Sequence, residues 1–296
     1  MGGFRVTERS MASNVLANLQ ANVSRGAKLQ DQLSSGKLVK RVSDSPSAAI
    51  MSMQYRSDLA GLKQYGRNAD DGMGWLDMAD TAVTGMVSQV SRARDLVLTA
   101  MSSGTAGTPE AREAIAQEIG HVRDSLLSLA NTTYLDGPVF GGTTSGRIAF
   151  NPNGTYAGDK GQVERTVSNN SKVRVDCRAD DVFGTDDQQL FAVLDKIASD
   201  LRLNPSGLSD DLSKIDTSAK LLQGSLSSIG SRYNQLSQMQ QAAQSRTLDL
   251  TSQLSDAEDI DLPKTITELS LQQTAYQAAL AASAKVIQPS LLDFLR

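Results

Sequence analysis

Apolar residues that step three, four, three, four along most of this chain leave it few folds other than long helices packed side by side. From Leu62 the positions Leu62, Tyr65, Ala69, Gly72, Leu76, Ala79, Val83, Met86, Val90, Ala93, Val97 and Ala100 keep that alternation. A helix turning once every ~3.6 residues lines them up on a single stripe. A second run keeps the same rhythm: Ile215, Ala219, Leu222, Leu226, Ile229, Tyr233, Leu236, Gln240, Ala243, Thr247, Leu250 and Leu254. Both ends of the chain repeat it in shorter form. The first has Ala12, Val15, Leu19, Asn22, Gly26, Leu29 and Leu33, and the last has Leu262, Ile266, Leu269, Gln273, Tyr276, Leu280, Ser283 and Ile287.

The last segment is unusual in its outer face. From Leu269 to Ala284 it carries no charged side chain, only Gln, Ser, Thr, Ala and a few larger apolar residues. A solvated helix normally turns Lys and Glu outward, so this composition suits a helix covered by protein on several sides. One chain offers too little surface to cover it, which points to an assembly. The segment is too polar to span a membrane.

The two terminal segments are of similar length and are expected to pair as antiparallel arms. The first ends in a basic group, Lys37, Lys40 and Arg41, and the second begins in an acidic one, Asp256, Glu258, Asp259 and Asp261. Antiparallel arms bring those groups together. Polar residues at seam positions, Asn22, Gln273 and Ser283, are the kind that fix register at some cost in stability.

Turn signals mark the boundaries. RVSDSPS (Arg41 to Ser47) breaks the first helix, and Ser45 before Pro46 supplies a cap and first-turn proline for the next. SSGTAGTPE ends that long helix, and Thr108 with Pro109 starts another, whose apolar side is expected to be Ala111, Ile115, Val122, Leu126 and Leu129. After Asn131 the composition turns to Gly, Asn and Thr. Short alternating runs, RIAF, QVERTV and KVRVDC, lie between turns such as Asn153-Gly154. The expected fold is mainly α with a small β-rich insertion, a long antiparallel helical bundle or coiled-coil rod with its terminal helical arms paired. Its divisions are an N-terminal arm over 1–44, rod helices over 45–136, a β-rich tip over 137–187, further rod over 188–255 and a C-terminal arm over 256–296.

Catalytic chemistry finds little support. The only histidine, His121, stands on a helix near Glu118 and Asp124, a spacing that a solvated helix face produces as readily as a weak metal site. No GxSxG turn accompanies it, and a lone cysteine, Cys177, provides neither a disulfide nor a thiolate zinc cage. GGTTSGR (Gly141 to Arg147) imitates part of a phosphate-binding loop, but Arg stands where Lys is required and a strand-like run follows. No catalytic residue, cofactor or metal is expected. A net charge of -4 favours neither nucleic acid nor an anionic membrane. MGGFRVTERS has no apolar stretch after it, so no cleaved signal peptide is expected, and no run long enough to insert in a membrane occurs.

LSSGKLVKRVSDSPSAAI (Leu33 to Ile50) resembles the flagellin superfamily, as does GRNADDGMGWLDMADTAV (Gly66 to Val83). NTTYLDGPVFGGT (Asn131 to Thr143) is similar to a segment of that superfamily's hook–filament junction branch, and the ending SLLDFLR (Ser290 to Arg296) is similar to the superfamily's C-terminus. Pro46 and Pro138 depart from the usual pattern without touching a seam position. The resemblance implies a structural subunit of the bacterial flagellum, forming the junction ring between hook and filament and exported without a cleaved signal. The implied partners are other copies of the chain, the other junction protein, flagellin, and an export chaperone on the C-terminal arm. The residues expected to carry assembly are Val15, Leu19, Asn22, Leu29, Leu33, Leu269, Gln273, Tyr276, Leu280, Ile287 and Phe294. Filament flagellin is the alternative within the superfamily, and a cytoplasmic coiled-coil scaffold the alternative outside it.

Overall fold

The computed structural model describes residues 8–102, 108–135 and 137–287, with side chains from 13 to 284 within those ranges. The helices are α1 (Glu8–Ser35), α2 (Pro46–Met101), α3 (Pro109–Ala130), α4 (Ala179–Phe183), α5 (Leu190–Leu203), α6 (Leu208–Glu258) and α7 (Leu262–Ile287). The strands are β1 (Thr133–Tyr134), β2 (Gly137–Pro138), β3 (Glu164–Ser168) and β4 (Ser171–Arg174). The chain divides into two compact units, one from 1–60 with 248–296 and one from 61–247. Helices α2 and α6 contribute to both.

In the larger unit the expected stripes are the core. On α2, Ala69, Leu76, Val83, Val90 and Val97 are buried at steps of seven, with Ala79, Met86 and Ala93 between them. On α6, Ile215, Leu222, Ile229, Leu236 and Ala243 repeat at the same interval. Tyr233, expected in the stripe, is largely exposed, and buried Ser218 and Ser225 stand beside the seam instead. Their hydroxyls donate to the carbonyls of Lys214 (3.1 Å) and Asp181 (3.2 Å), so their burial leaves no donor unmet.

Helix α3 starts as its sequence predicts: the Thr108 side chain accepts from the Ala111 amide and Pro109 opens the first turn. Its buried face is Ala116, Ile119, Val122, Leu126 and Ala130, rotated from the expected one, so Ala111, Ile115 and Leu129 are only half-buried. The cause is α5, which lies antiparallel against it with Leu190, Leu194, Ile197 and Leu201 buried. Arg202 grips Glu113 with two contacts, 2.7 and 3.0 Å, and Arg123 reaches Asp195 at 2.6 Å.

The Gly- and Asn-rich segment has less sheet than its alternation suggests. QVERTV and KVRVDC form the β3–β4 hairpin, with Glu164 opposite Arg174 and an irregularity between Thr166 and Ser168. RIAF contributes only a single bridge, Phe150 to Tyr156. An aromatic cluster holds the rest together. Phe140, Phe150, Phe183 and Phe191 are fully buried, with ring centres 4.6 Å apart for Phe150 and Phe183 and 5.5 Å for Phe140 and Phe183. Four of the chain's six Phe therefore sit in one place, which is why so small a segment has a core. Asn131 ties it to the end of α3, accepting from the Ala149 and Phe150 amides at 2.8 and 2.9 Å. Gly154 completes its turn at φ +82°, where a Cβ would meet Phe191 at 2.8 Å.

Strands β1 and β2 form a two-residue antiparallel pair. Tyr134 packs edge-on against Trp75 at 5.7 Å and approaches Gly74 so closely that a Cβ there would lie 2.6 Å from its hydroxyl. The next residue, Leu135, has φ +52° and is 76% exposed. Left-handed backbone disfavours a side chain of this kind and suits Asn. Leu135→Asn is therefore expected to stabilise the larger unit by about 1 kcal/mol. Phe183→Ala is expected to cost about 3–5 kcal/mol by opening a cavity in the aromatic cluster. Urea denaturation followed by circular dichroism measures both.

Candidate assembly interface

The smaller unit is built on the pairing of α1 and α7. Gly36 accepts from the Ile260 amide and Asn22 meets Gln272, so the helices run antiparallel, as expected. On α1 Val15, Leu19, Asn22, Gly26, Leu29 and Leu33 of the expected seam are half-buried, with Gln32 beside them. On α7 the face turned inward is Thr265, Leu269, Gln272, Tyr276, Ala279 and Ser283. Leu269, Tyr276 and Ser283 thus keep their places, but Gln273 is exposed and Gln272 takes the inner position. The Gln272 amide donates to Asn22, 3.0 Å to the carbonyl and 3.2 Å to the side-chain oxygen. The correction has a simple origin. Small Ala and Ser allow either of two overlapping stripes to face inward, and the Asn22–Gln272 contact selects one. Of Ile287 the backbone alone is described, and Phe294 lies outside the described residues.

The rotation leaves a second stripe facing outward. Leu262, Ile266 and Leu280 are 52%, 56% and 43% exposed, and on α1 Leu16 and Val23 are 60% and 53% exposed. Between the helices a groove of about 260 Å³ brings the two faces together, lined by Val23, Ala27, Gln30, Leu269, Gln273 and Tyr276. Among the described residues the α1–α7 pair therefore has one seam filled by its own partner and a second set of apolar side chains left in solvent.

The corner between the arms is a charged node. Lys37 Nζ lies 2.6 Å from Asp259 and 3.2 Å from Glu258, and the backbones bond across the corner as Leu38 N to Glu258 O at 2.6 Å. The expected basic group is only partly used. Lys40 turns back to Asp31 at 2.8 Å, and the Arg41 backbone amide is held by Asp44. In their place Arg56, which the charge pattern did not single out, reaches Glu258 at 2.8 Å. The Glu258 side chain is 5% exposed. Burial pushes its carboxyl up, but hydrogen bonds from Arg56, Lys37 and Ser52 together hold it below its ordinary value. Lys37 and Ser255 lower Asp259, and Asp259 raises Lys37.

Among the described residues, the groups that imitate catalytic or ligand-binding sites in the sequence are exposed or engaged by other parts of the protein. His121 is exposed on α3, and Glu118 is engaged by Arg92. Among the described residues no group of three or more His, Cys, Asp or Glu is placed to hold a metal. The glycine loop at Gly141 to Arg147 is already filled. The Asp159 carboxylate accepts from the Thr143 amide and hydroxyl, both at 2.7 Å, and from the Gly161 amide at 2.9 Å. Donors that a phosphate would need are bound to the protein's own anion. Cys177 is buried, and burial pushes its thiol to about 12. Among the described residues no helix is long and apolar enough to cross a membrane.

Residues 6–140 match the bacterial flagellin N-terminal helical region. Over nearly its whole length the chain is similar to flagellar hook-associated protein 3 of Escherichia coli, 24% identical and covering 94% of this chain and 96% of that one. It is similar in the same degree to flagellin of Bacillus subtilis, 24% identical over 99% of this chain and all of that one. The chain is thus similar over nearly all its length to a hook-associated protein and to a flagellin alike. Its fold is shared with the solved flagellar hook-associated protein 3 of Legionella pneumophila, at 13% identity and a TM-score of 0.61 over 69% of this chain and 98% of that one. The N-terminal helical match takes in α1, α2, α3, β1 and β2, so the exposed residues of α1 and the exposed Leu135 lie inside it.

The charged corner makes the smaller unit sensitive to pH at both ends of the scale. Glu258 and Asp259 are lowered on folding, so their contribution is present above the ordinary carboxylate value of about 4 and is lost as pH falls through the folded values. Lys37 is raised, so its contribution is present below about 10.4 and is lost as pH rises through the folded value. Arg56→Met should reduce the stability of the α1–α7 unit by about 1–3 kcal/mol at neutral pH, and should shrink the acid-side loss. Amide hydrogen exchange across α1 and α7 from pH 3 to 7, corrected for intrinsic rates, reads both effects.

Proposed function

We infer that this chain is a structural subunit of the bacterial flagellum, placed at the junction between hook and filament and joined to its neighbours through the terminal arms. The observation that carries this reading is the second seam of the arm pair. Leu16, Val23, Leu262, Ile266 and Leu280 are apolar side chains on the outer side of the α1–α7 pair that stay exposed among the described residues. An apolar stripe of that length on a helix pair marks a surface that other protein covers. The near-full-length likeness to hook-associated protein 3 supports the flagellar setting. Val15, Leu19, Asn22, Leu29, Leu33, Leu269 and Tyr276 hold the two arms to each other. Gln273 and Leu280 are then the positions offered to neighbours.

The partners in this reading are other copies in a ring, the second junction protein on the hook side and flagellin on the filament side. An export chaperone that holds the C-terminal arm would cover the open α7 stripe until assembly. Export through the flagellar route, without a cleaved signal, places the mature subunit outside the cell. The role is structural, with no catalysis. Filament flagellin is the second reading, because the Bacillus subtilis flagellin is as similar as the hook-associated protein. Purified chains separate the two. A filament subunit polymerises alone into long filaments under the electron microscope, and a junction subunit does not.

The arm interface is tested with Ile266→Asp combined with Leu280→Asp. Both positions are exposed, so the monomer should keep its stability within about 0.5 kcal/mol. The variant is expected to vanish from isolated flagella and to abolish swimming in cells whose own copy it replaces. Entry into flagella at the wild-type level would show that the outward stripe is not an interface.

A further inference from the structure

Leu208, Asp211, Ile215, Ser218, Leu222, Ser225 and Ile229 step three and four along α6, and all are buried. The leucines and isoleucines make the core, and the serine hydroxyls are bonded to backbone carbonyls. Asp211 alone brings a charge to this seam. Its side chain is 0% exposed, and among the described residues neither carboxyl oxygen accepts a well-directed hydrogen bond. A carboxylate so placed is expensive unless charge and hydrogen bonds both answer it.

The answer comes from α5. Lys196 Nζ lies 3.2 Å from Asp211 Oδ1, and the same Nζ lies 3.9 Å from Asp200 Oδ2. One ammonium therefore faces two carboxyl groups. Asp200 is itself largely buried, and its carboxyl is within hydrogen-bonding reach of Asp211. The Pro205–Gly207 turn leaves it that room, since a Cβ on Gly207 would lie 2.6 Å from Asp200 Oδ2. Asp210, exposed on α6, adds to the negative field at Lys196. Among the described residues Lys214 on α6 and Arg112 on α3 pair with neither carboxyl. On α3 Glu113 is taken by Arg202, and on α2 Arg94 by Asp216.

One lysine matches one carboxylate, and a second bare carboxylate in an apolar seam has no cation to match it. Burial pushes the Asp211 carboxyl up, Lys196 pulls it down and Asp200 pushes it up again, with the net direction upward. Lys196 is raised, chiefly by its contact with Asp211, so it keeps its charge. We propose that Asp200 and Asp211 share one proton beside Lys196, forming a proton-binding site at the corner where α5 passes into α6. The proton supplies the donor that the seam otherwise lacks. Two carboxyl groups this close do not both ionise cheaply, so the pair takes up a proton before an ordinary aspartate does.

The linkage is inverted relative to the arm corner. The folded chain keeps this proton at pH values where the unfolded chain has lost it. The larger unit therefore gains stability as pH falls toward the ordinary aspartate value of about 3.9, and gains no more below it. Glu258 and Asp259 begin to lose their contribution only below that range. On acidification the α5–α6 corner tightens first, and the arm corner weakens afterwards. The inference does not depend on the flagellar reading.

The test is a carboxyl titration of the purified full chain, labelled with carbon-13 at the aspartate side chains and followed by NMR from pH 8 to 3. One aspartate signal should titrate above the others and disappear in Asp211→Asn. Asp200→Asn should lower its midpoint, and Lys196→Met should raise it. In urea, the unfolding constant of the wild type relative to Asp211→Asn should fall with falling pH, by up to about tenfold per pH unit. Aspartate signals that all titrate in the ordinary range overturn the proposal, as does a high signal that survives Asp211→Asn. A high midpoint that Asp200→Asn leaves in place also overturns it, because the carboxyl would then be a lone buried acid. Asp200 lies at the partly open edge of the site, so its variant keeps the test decisive should Asp211→Asn fail to fold.

Discussion

A pair of helices can hide only one side of each from water, and that limit organises this protein. In the larger unit α2 and α6 are joined by α3, α5 and the Phe cluster, so residues off the main stripe of α2, such as Trp75 and Ala82, are also buried. In the smaller unit α1 and α7 have each other, and their off-seam residues Leu16, Val23, Ile266 and Leu280 remain in solvent. The same heptad rhythm therefore gives a finished core in one place and an unfinished one in the other. Stability and assembly are separated along the chain by how many elements are at hand to cover a helix.

Most of the helical architecture was legible because burial at steps of seven is a demanding pattern. Ile215, Leu222, Ile229, Leu236 and Ala243 follow from their spacing alone, as do the caps at Ser45 and Thr108. The phase of α7 was not legible. Between Leu269 and Ser283 two stripes share Leu269, Tyr276 and Ser283 and differ at Gln272 or Gln273 and at Ala279 or Leu280, and apolarity, which prefers Leu280, does not pick the observed one. A hydrogen bond to Asn22 does, and that contact spans 250 positions of sequence. The face of α3 was displaced for a similar reason, since α5 decides which side of it is covered.

In the Gly- and Asn-rich segment, alternation overstated the strands because its order comes from side chains distant in sequence. Phe140, Phe150, Phe183 and Phe191 meet from four separate stretches, and Asn131 supplies hydrogen bonds that a sheet ladder would otherwise make. At the corner, opposite charges in the two arms announced a contact but not its members. Lys37 crosses as the pattern implies, Lys40 finds the nearer Asp31, and Arg56 enters from a helix that local charge counting does not associate with the arms.

The absence of charge from Leu269 to Ala284 bears on the medium in which such a helix works. Coulombic contacts weaken as dissolved salt rises, with a screening length of about 10 Å at 0.1 M and about 3 Å at 1 M. Amide hydrogen bonds like Gln272 to Asn22 and the close packing of Ala and Ser carry no net charge for ions to screen. A surface made of them holds its geometry in dilute water and in brine alike, while the Lys37–Glu258–Asp259–Arg56 node at its foot is the part that senses ionic strength.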